Sequence, residues 1–285
     1  MGCVKEPMSR YVLASALVAL LVIRPTAAAT FVVTTFDHAP TQAASSQDWC
    51  QDAGSYNVRD ETVCEVRELK ESGQRSLDAE VGNGSVAVTG SSRSDVMVQA
   101  RVMASAASTA DARDLAKQVT VSLENGRLRA SGPKTERRQS WWVSYRVQVP
   151  TNYDLTLGAS NGSVNVTGVR GNINAETANG SIRLTDLGGR VRARTSNGST
   201  HVQVSGAKWD GEGLSVITSN GSARLDLPQN FSAELAVSTN NGGINIDFPV
   251  TVQGRLGRSV ETTLGSGGPT LEVRTSNGSV RVTRR

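Results

Sequence analysis

Residues 161–202 repeat one hexapeptide three times, as Asn161-Gly162-Ser163-Val164-Asn165-Val166, Asn179-Gly180-Ser181-Ile182-Arg183-Leu184 and Asn197-Gly198-Ser199-Thr200-His201-Val202. The step is 18 each time, and a fainter half-copy sets glycine at 162, 171, 180, 189 and 198, a step of 9. Apolar positions alternate inside each unit. Val164 and Val166, Ile173 and Ala175, Ile182 and Leu184, Val191 and Ala193 fall on one side, with Asn165, Asn174, Arg183 and Arg192 on the other. That is the pattern of a five-residue strand with one apolar face, closed by a short turn. So short a strand buries little alone, whereas like units stacked on like units share a continuous core. The predicted fold is all-β: a β-solenoid (β-helix) of roughly 18-residue rungs, with residue i beneath i + 18. The rival is an antiparallel meander with Asn-Gly hairpins. Its consecutive strands run opposite ways and demand no identity at this interval, so the solenoid is preferred.

The corner residues Asn161, Gly162, Asn179, Gly180, Asn197, Gly198, Asn220, Gly221, Asn277 and Gly278 are read as structural. A corner calls for positive φ, which glycine takes freely and asparagine tolerates. Stacked asparagines can also hydrogen-bond along the axis. Asn220-Gly221-Ser222-Ala223-Arg224-Leu225 follows Asn197 by 23, with an insertion near residues 208–213 that bulges as a loop. Asn241-Gly242-Gly243-Ile244-Asn245-Ile246 follows by 21. Asn277-Gly278-Ser279-Val280-Arg281-Val282 follows by 36, read as two rungs with one degenerate rung inside residues 248–266.

Upstream, residues 1–29 read as a secretory signal: Lys5 and Arg10, an apolar run over residues 11–23, and the small-residue site Ala27-Ala28-Ala29. Thirteen apolar residues ended by Arg24-Pro25 are too few to span a bilayer, so no transmembrane helix is expected after cleavage. Residues 30–76 form a polar lead-in holding Cys50 and Cys64, whose pairing follows from export. Trp49 is expected to cover that disulfide, and residues 61–69 are open between strand and helix. Residues 77–150 form a β-rich part with one helix over residues 108–119, capped by Thr109, and a hairpin about Asn125-Gly126. Here Val81 to Val88 reads as an isolated relative of the repeat, and Val96, Val98, Ala100 and Val102 as a strand of irregular phase. Trp141 to Val149 alternates as a strand stopped by Pro150, and residues 151–285 are the solenoid repeats.

Val149-Pro150, Leu155-Thr156-Leu157, Ser160-Asn161-Gly162-Ser163-Val164 and the later Ser/Thr-X-Asn-Gly-Ser rungs give the chain a family likeness. Cys64-Glu65-Val66-Arg67-Glu68 and Gly84-Ser85-Val86-Ala87-Val88-Thr89-Gly90 extend it toward the N-terminus. The chain resembles the bacterial "putative adhesin" family of exported β-helical repeat proteins, a group largely of unknown function. No catalytic residues travel with that resemblance.

The chemistry of the chain points the same way. After loss of residues 1–29 the net charge is about +2, which gives no reason to expect nucleic acid. Calcium-binding β-rolls need an acid in every unit, and these rungs lack one; no Cys-X-X-Cys or His-Cys cluster offers a zinc site. Neither His38 nor His201 sits in a nucleophile motif, and the carboxylates are scattered rather than paired. No enzyme activity, metal or cofactor is expected. The outward column Asn165, Arg183, His201, Arg224, Asn245, Arg281 is a ladder of donors. Arg183, His201, Arg224 and Arg281 are its candidate ligand face, toward an anionic glycan or an acidic envelope protein. The plain alternative is a solvated face that keeps the sheet soluble. Arg190, Arg192 and Arg194 add a basic spot on the other strand type, and Trp142 either stacks on a sugar or covers an open end. The expected function is a non-catalytic binding or adhesion module in the periplasm or at the cell surface. A self-assembling envelope scaffold and a glycan-active enzyme are the alternatives, and Arg284-Arg285 reads as a charged stop that blocks one end.

Overall fold

The alternation that sends every second side chain inward gives each repeat two apolar strands, and the two strands enter different sheets. The computed structural model describes residues 48–51, 60–249 and 257–285, all within one compact unit, Ala44–Arg285. The expected signal segment and most of the lead-in lie outside the described residues.

In chain order come α1 (Asp48–Gln51), β1 (Glu61–Ser72), β2 (Ser76–Asn83), β3 (Val86–Ser91), β4 (Asp95–Ala106) and α2 (Thr109–Gln118). The hairpin β5 (Thr120–Glu124) and β6 (Arg127–Ser131) and the strand β7 (Ser140–Pro150) follow. The repeats then alternate long and short strands: β8 (Asp154–Asn161) and β9 (Val164–Thr167), β10 (Arg170–Asn179) and β11 (Ile182–Thr185), β12 (Gly188–Asn197) and β13 (Thr200–Gln203). Next are β14 (Gly213–Asn220) and β15 (Ala223–Leu227), then β16 (Ala233–Asn241) and β17 (Ile244–Ile246). The chain finishes with β18 (Ser259–Leu264), β19 (Thr270–Asn277) and β20 (Val280–Arg284).

Two mixed ten-stranded sheets result, in the orders β1-β4-β7-β3-β9-β11-β13-β15-β20-β17 and β18-β16-β19-β14-β12-β10-β8-β2-β6-β5. Through the regular repeats, neighbours are parallel and each position faces its counterpart one repeat on: Val164 pairs with Ile182, Ile182 with Thr200, and Ile173 with Val191. A meander would require antiparallel neighbours, so it is excluded. The strands are not the equal five-residue pieces expected. Half-copy glycines such as Gly171 lie inside the long strands, where a Cβ would fall 2.5 Å from the Tyr153 carbonyl oxygen. They allow backbone to pass close by without opening a corner of their own.

Inward residues of both sheets form one hydrophobic cluster, running from Leu77 through Val164, Ile173, Ile182 and Val191 to Val282. Each such Val, Leu or Ile contributes roughly 1.5–3 kcal/mol by leaving water. The cluster includes Val143, Tyr145 and Val147 of β7 as well as the repeats, so residues on both sides of Pro150 share it.

Several local expectations are met and others corrected. The hairpin turns at Asn125 (φ 53°) and Gly126 (φ 71°), both left-handed as a two-residue loop demands. Residues 61–69 lie in a strand, β1, antiparallel to β4. The α2 cap is Ser108, not Thr109: Ser108 is extended and its Oγ accepts from Asp111 N at 3.2 Å, while Thr109 is already helical. The phase of β4 is regular, with Val96, Val98, Ala100 and Val102 all buried. The early Asn83 unit is not isolated, because β2 and β3 pair in parallel with β8 and β9 across the 78 residues between Asn83 and Asn161. The insertion near residue 208 is docked rather than bulging, with Trp209 buried and its Nε1 donating to Gly189 O at 2.9 Å.

The largest correction concerns order. The C-terminal pair β19 and β20 does not follow β16 and β17 in space; it lies between them and the preceding pair β14 and β15. The degenerate rung expected within residues 248–266 is instead β18, antiparallel on the outer edge of β16. Arg284-Arg285 therefore blocks no end. Arg285 N donates to Leu227 O at 3.0 Å, and its Nη2 to Val204 O at 2.7 Å.

Candidate functional site

Corner chemistry fixes the height and direction of each rung. Asn161 Nδ2 donates to Asn83 Oδ1, Asn179 to Asn161, Asn197 to Asn179, Asn220 to Asn197, Asn277 to Asn220 and Asn241 to Asn277, all at 2.8–3.0 Å. The glycine beside each asparagine packs directly on the rung below: a Cβ at Gly198 would lie 2.0 Å from Gly180 O, and one at Gly180 1.9 Å from Gly162 O. The expectation that these asparagines adopt positive φ is corrected. Among non-glycine residues only Asn125, Arg138 and Asp186 do so in the described chain; corner asparagine is present for its amide. Sequence reasoning also gave no role to the threonine two residues before each corner from Asn179 onward. Thr177, Thr195, Thr239 and Thr275 are buried, and their hydroxyls donate to Gly162, Gly180, Gly278 and Gly221 carbonyls at 2.8–3.0 Å. Its signal was the recurring Thr-X-Asn-Gly.

With the corners fixed, the outward side chains of the short strands fall into register. Asn165, Arg183, His201, Arg224, Arg281 and Asn245 form one column in that spatial order. Arg183, His201, Arg224 and Arg281 are thus brought together, with Arg281 ahead of Asn245. They are not equivalent. Asp226, absent from the sequence-derived set, accepts from Arg224 Nε at 2.7 Å and lies 2.8 Å from His201 Nε2. It points outward yet is buried. Burial opposes its ionisation, but the hydrogen bonds and charges of Arg224 and His201 outweigh this and hold its carboxyl below the ordinary value. His201 is consequently half-buried and bonded, not a solvated residue. Asp226 was detectable as an exception: its paired neighbours in the same row are Gln203 and Thr283. Arg183 and Arg281 are exposed and form no ion pair among the described residues.

The column continues through Ala87 to Arg146 of β7. There the N-terminal segment crosses it. Cys50 and Cys64 are joined, with Cα atoms 5.7 Å apart, and the buried Trp49 ring lies 4.1 Å from the Arg146 guanidinium and 4.9 Å from that of Arg101. Trp49 thereby stacks on cations, a contact its place beside a cysteine did not foretell. Trp142 is half-buried near Asn83, at one end of the asparagine ladder. Among the described residues no group of three or more His, Cys, Asp or Glu side chains converges, and no helix is long and apolar enough to cross a membrane.

Residues 59–283 match the family described as Toastrack DUF4097. The chain belongs to that family. The likeness read from Cys64 onward is thus established over most of its length. Among solved structures, this Toastrack chain is similar to a "putative cell adhesion protein" from Clostridium sporogenes, at 10% identity and TM-score 0.42, over 78% of this chain and 100% of that one. It is also similar to a "putative adhesin" from Bacteroides fragilis, at 11% identity and TM-score 0.40, over 78% and 97% of the two chains. No protein of curated description matches it.

Proposed function

We propose that this Toastrack protein is an exported, non-catalytic β-solenoid that serves as a binding or adhesion module of the cell envelope or surface. In this reading residues 1–29 are a cleaved leader, residues 30–76 a disulfide-clipped lead-in, residues 77–150 an N-terminal β-rich part and residues 151–285 the solenoid. The ligand face is the short-strand column, and its partner is an anionic glycan or an acidic envelope protein.

One observation carries the reading. Parallel register sets Arg183 and Arg281 on the same exposed column without acidic partners among the described residues, while Asp226 occupies Arg224 and His201 between them. Exposed guanidiniums held in line by a rigid sheet suit carboxylate, sulfate or phosphate groups on an extended partner. The test is a glycan array comparing the wild-type protein with Arg183→Ala/Arg224→Ala/Arg281→Ala. Loss of acidic-glycan signals in the variant is expected, and an unchanged profile removes the column from consideration.

A further inference from the structure

The long-strand sheet has an outward face of its own, and its side chains differ in kind. A groove of about 660 Å³ lies over β8, β10, β12, β14 and β19. Across its floor, register places Asn174, Arg192 and Ser215 side by side in one row, and Arg194, Ile217 and Arg274 in the next. The arginines at its margins are committed: Arg190 Nε donates to Glu212 Oε2 at 2.8 Å, and Arg274 pairs with Glu272 at 2.5 Å. Arg192 and Arg194 are exposed and form no ion pair among the described residues. Glu176 stands in register with Arg194 but instead accepts from Asn174 Nδ2 at 3.4 Å.

Ile217 supplies a second, independent sign. It is the large hydrophobic residue left exposed among the described residues, at 37%, and it stands between two arginines. The neighbouring strands fill its row with charged residues, so nothing in the packing of the sheet calls for an apolar side chain there.

We infer that this groove binds a linear acidic polysaccharide whose carboxylates recur along the chain, a polyuronate. Arg192 and Arg194 stand two residues apart on one strand, about 6.6 Å, while Arg274, two strands away, is held by Glu272. A single small anion fills one of these two forks, whereas a polymer with recurring carboxylates fills both, each carboxylate taken in its own planar guanidinium fork. The apolar C–H face of a pyranose covers Ile217, while the Asn174 amide and the Ser215 oxygen, whose proton goes to Glu272 at 2.9 Å, meet ring hydroxyls. One exposed apolar side chain is too little surface to hold an acyl tail, which favours the sugar over a lipid. Several individually weak contacts along one chain give usable affinity through multivalency.

The test titrates the full-length protein with galacturonate oligomers at low salt, by calorimetry. Wild type is expected to bind, with affinity falling as salt rises, and a neutral dextran oligomer or millimolar inorganic phosphate is expected neither to bind nor to compete. Arg192→Gln/Arg194→Gln should weaken binding at least tenfold, and Ile217→Ser several-fold. Arg113→Gln/Arg137→Gln, exposed and away from both the groove and the short-strand column, should stay within twofold of wild type. Circular dichroism and thermal melts check that each variant is folded. Absence of wild-type binding, or groove variants that bind like wild type, overturns the groove. Loss confined to Arg183→Gln/Arg281→Gln also overturns it while upholding the short-strand column, so the two sites stand or fall separately.

Discussion

Gly198 shows how one atom sets the repeat. A Cβ there would sit 2.0 Å from Gly180 O, far inside contact distance, and the opposing atom is backbone that cannot swing aside. Gly198→Ala is expected to cost about 3 kcal/mol, read as a lower midpoint in urea unfolding; a loss near that of an exposed surface substitution would show that the rung spacing relaxes. Asp226 makes a pH-dependent contribution. Its folded carboxyl is held below the ordinary value by Arg224 and His201, so the stabilisation is fully present above the unfolded value of about 3.9 and is lost as pH falls through the folded one. Asp226→Asn should lower stability at pH 7 by about 1.5–3 kcal/mol, and the gap to wild type should close as the solution is acidified below pH ~4. A constant gap would deny the coupling. Asn197 and Gly198 were legible as corners because their identity recurs at a fixed step, from Asn161-Gly162 to Asn179-Gly180 and on. Asp226 stood out as an acid in the row of Gln203 and Thr283, but its bond to His201 was not legible, because that residue lies 25 residues away on the neighbouring strand.

At the level of elements, α2 depends on a residue outside it. Arg67 of β1 donates to Ala116 O at 2.9 Å and to Val119 O, closing the last turn of the helix from the sheet below. Ala112, Leu115 and Ala116 form its buried face. Arg67→Ala is expected to destabilise by about 1.5–3 kcal/mol, with amide exchange rising first over α2. Uniform exchange across β8–β13 would instead indicate global loosening. The helix, its polarity and the β5–β6 hairpin could be read locally, from Asp111, the apolar spacing and Asn125-Gly126. That Arg67 would finish the helix could not be read, since it depends on how β1 lies against β4.

For the whole molecule, periodicity revealed the unit and the parallel stacking but not the spatial order of the units. Leu235, Val237, Thr239 and Asn241 of β16 present the same side chains, in the same spacing, as Leu271, Val273, Thr275 and Asn277 of β19. Either set can face Leu214, Val216, Thr218 and Asn220 of β14, and in the folded protein β19 does. Nothing in the strands themselves separates the two arrangements. Engineered cysteines distinguish them directly: Ser222→Cys/Ser279→Cys should cross-link on oxidation, as Ser279 N lies 3.4 Å from Ser222 Oγ, whereas Ser222→Cys/Gly243→Cys should not. The reverse result would restore the order of the sequence.

The intercalated C-terminal pair also bears on how the chain is made. Synthesis delivers β16 and β17 before β19 and β20, so the earlier pair meets a matching edge of β14 and β15 that it does not hold in the folded protein. If the earlier pair docks there before residues 270–284 emerge, completion requires the newest strands to displace it. In that order of events the last two strands, rather than the core already formed, set the rate of folding.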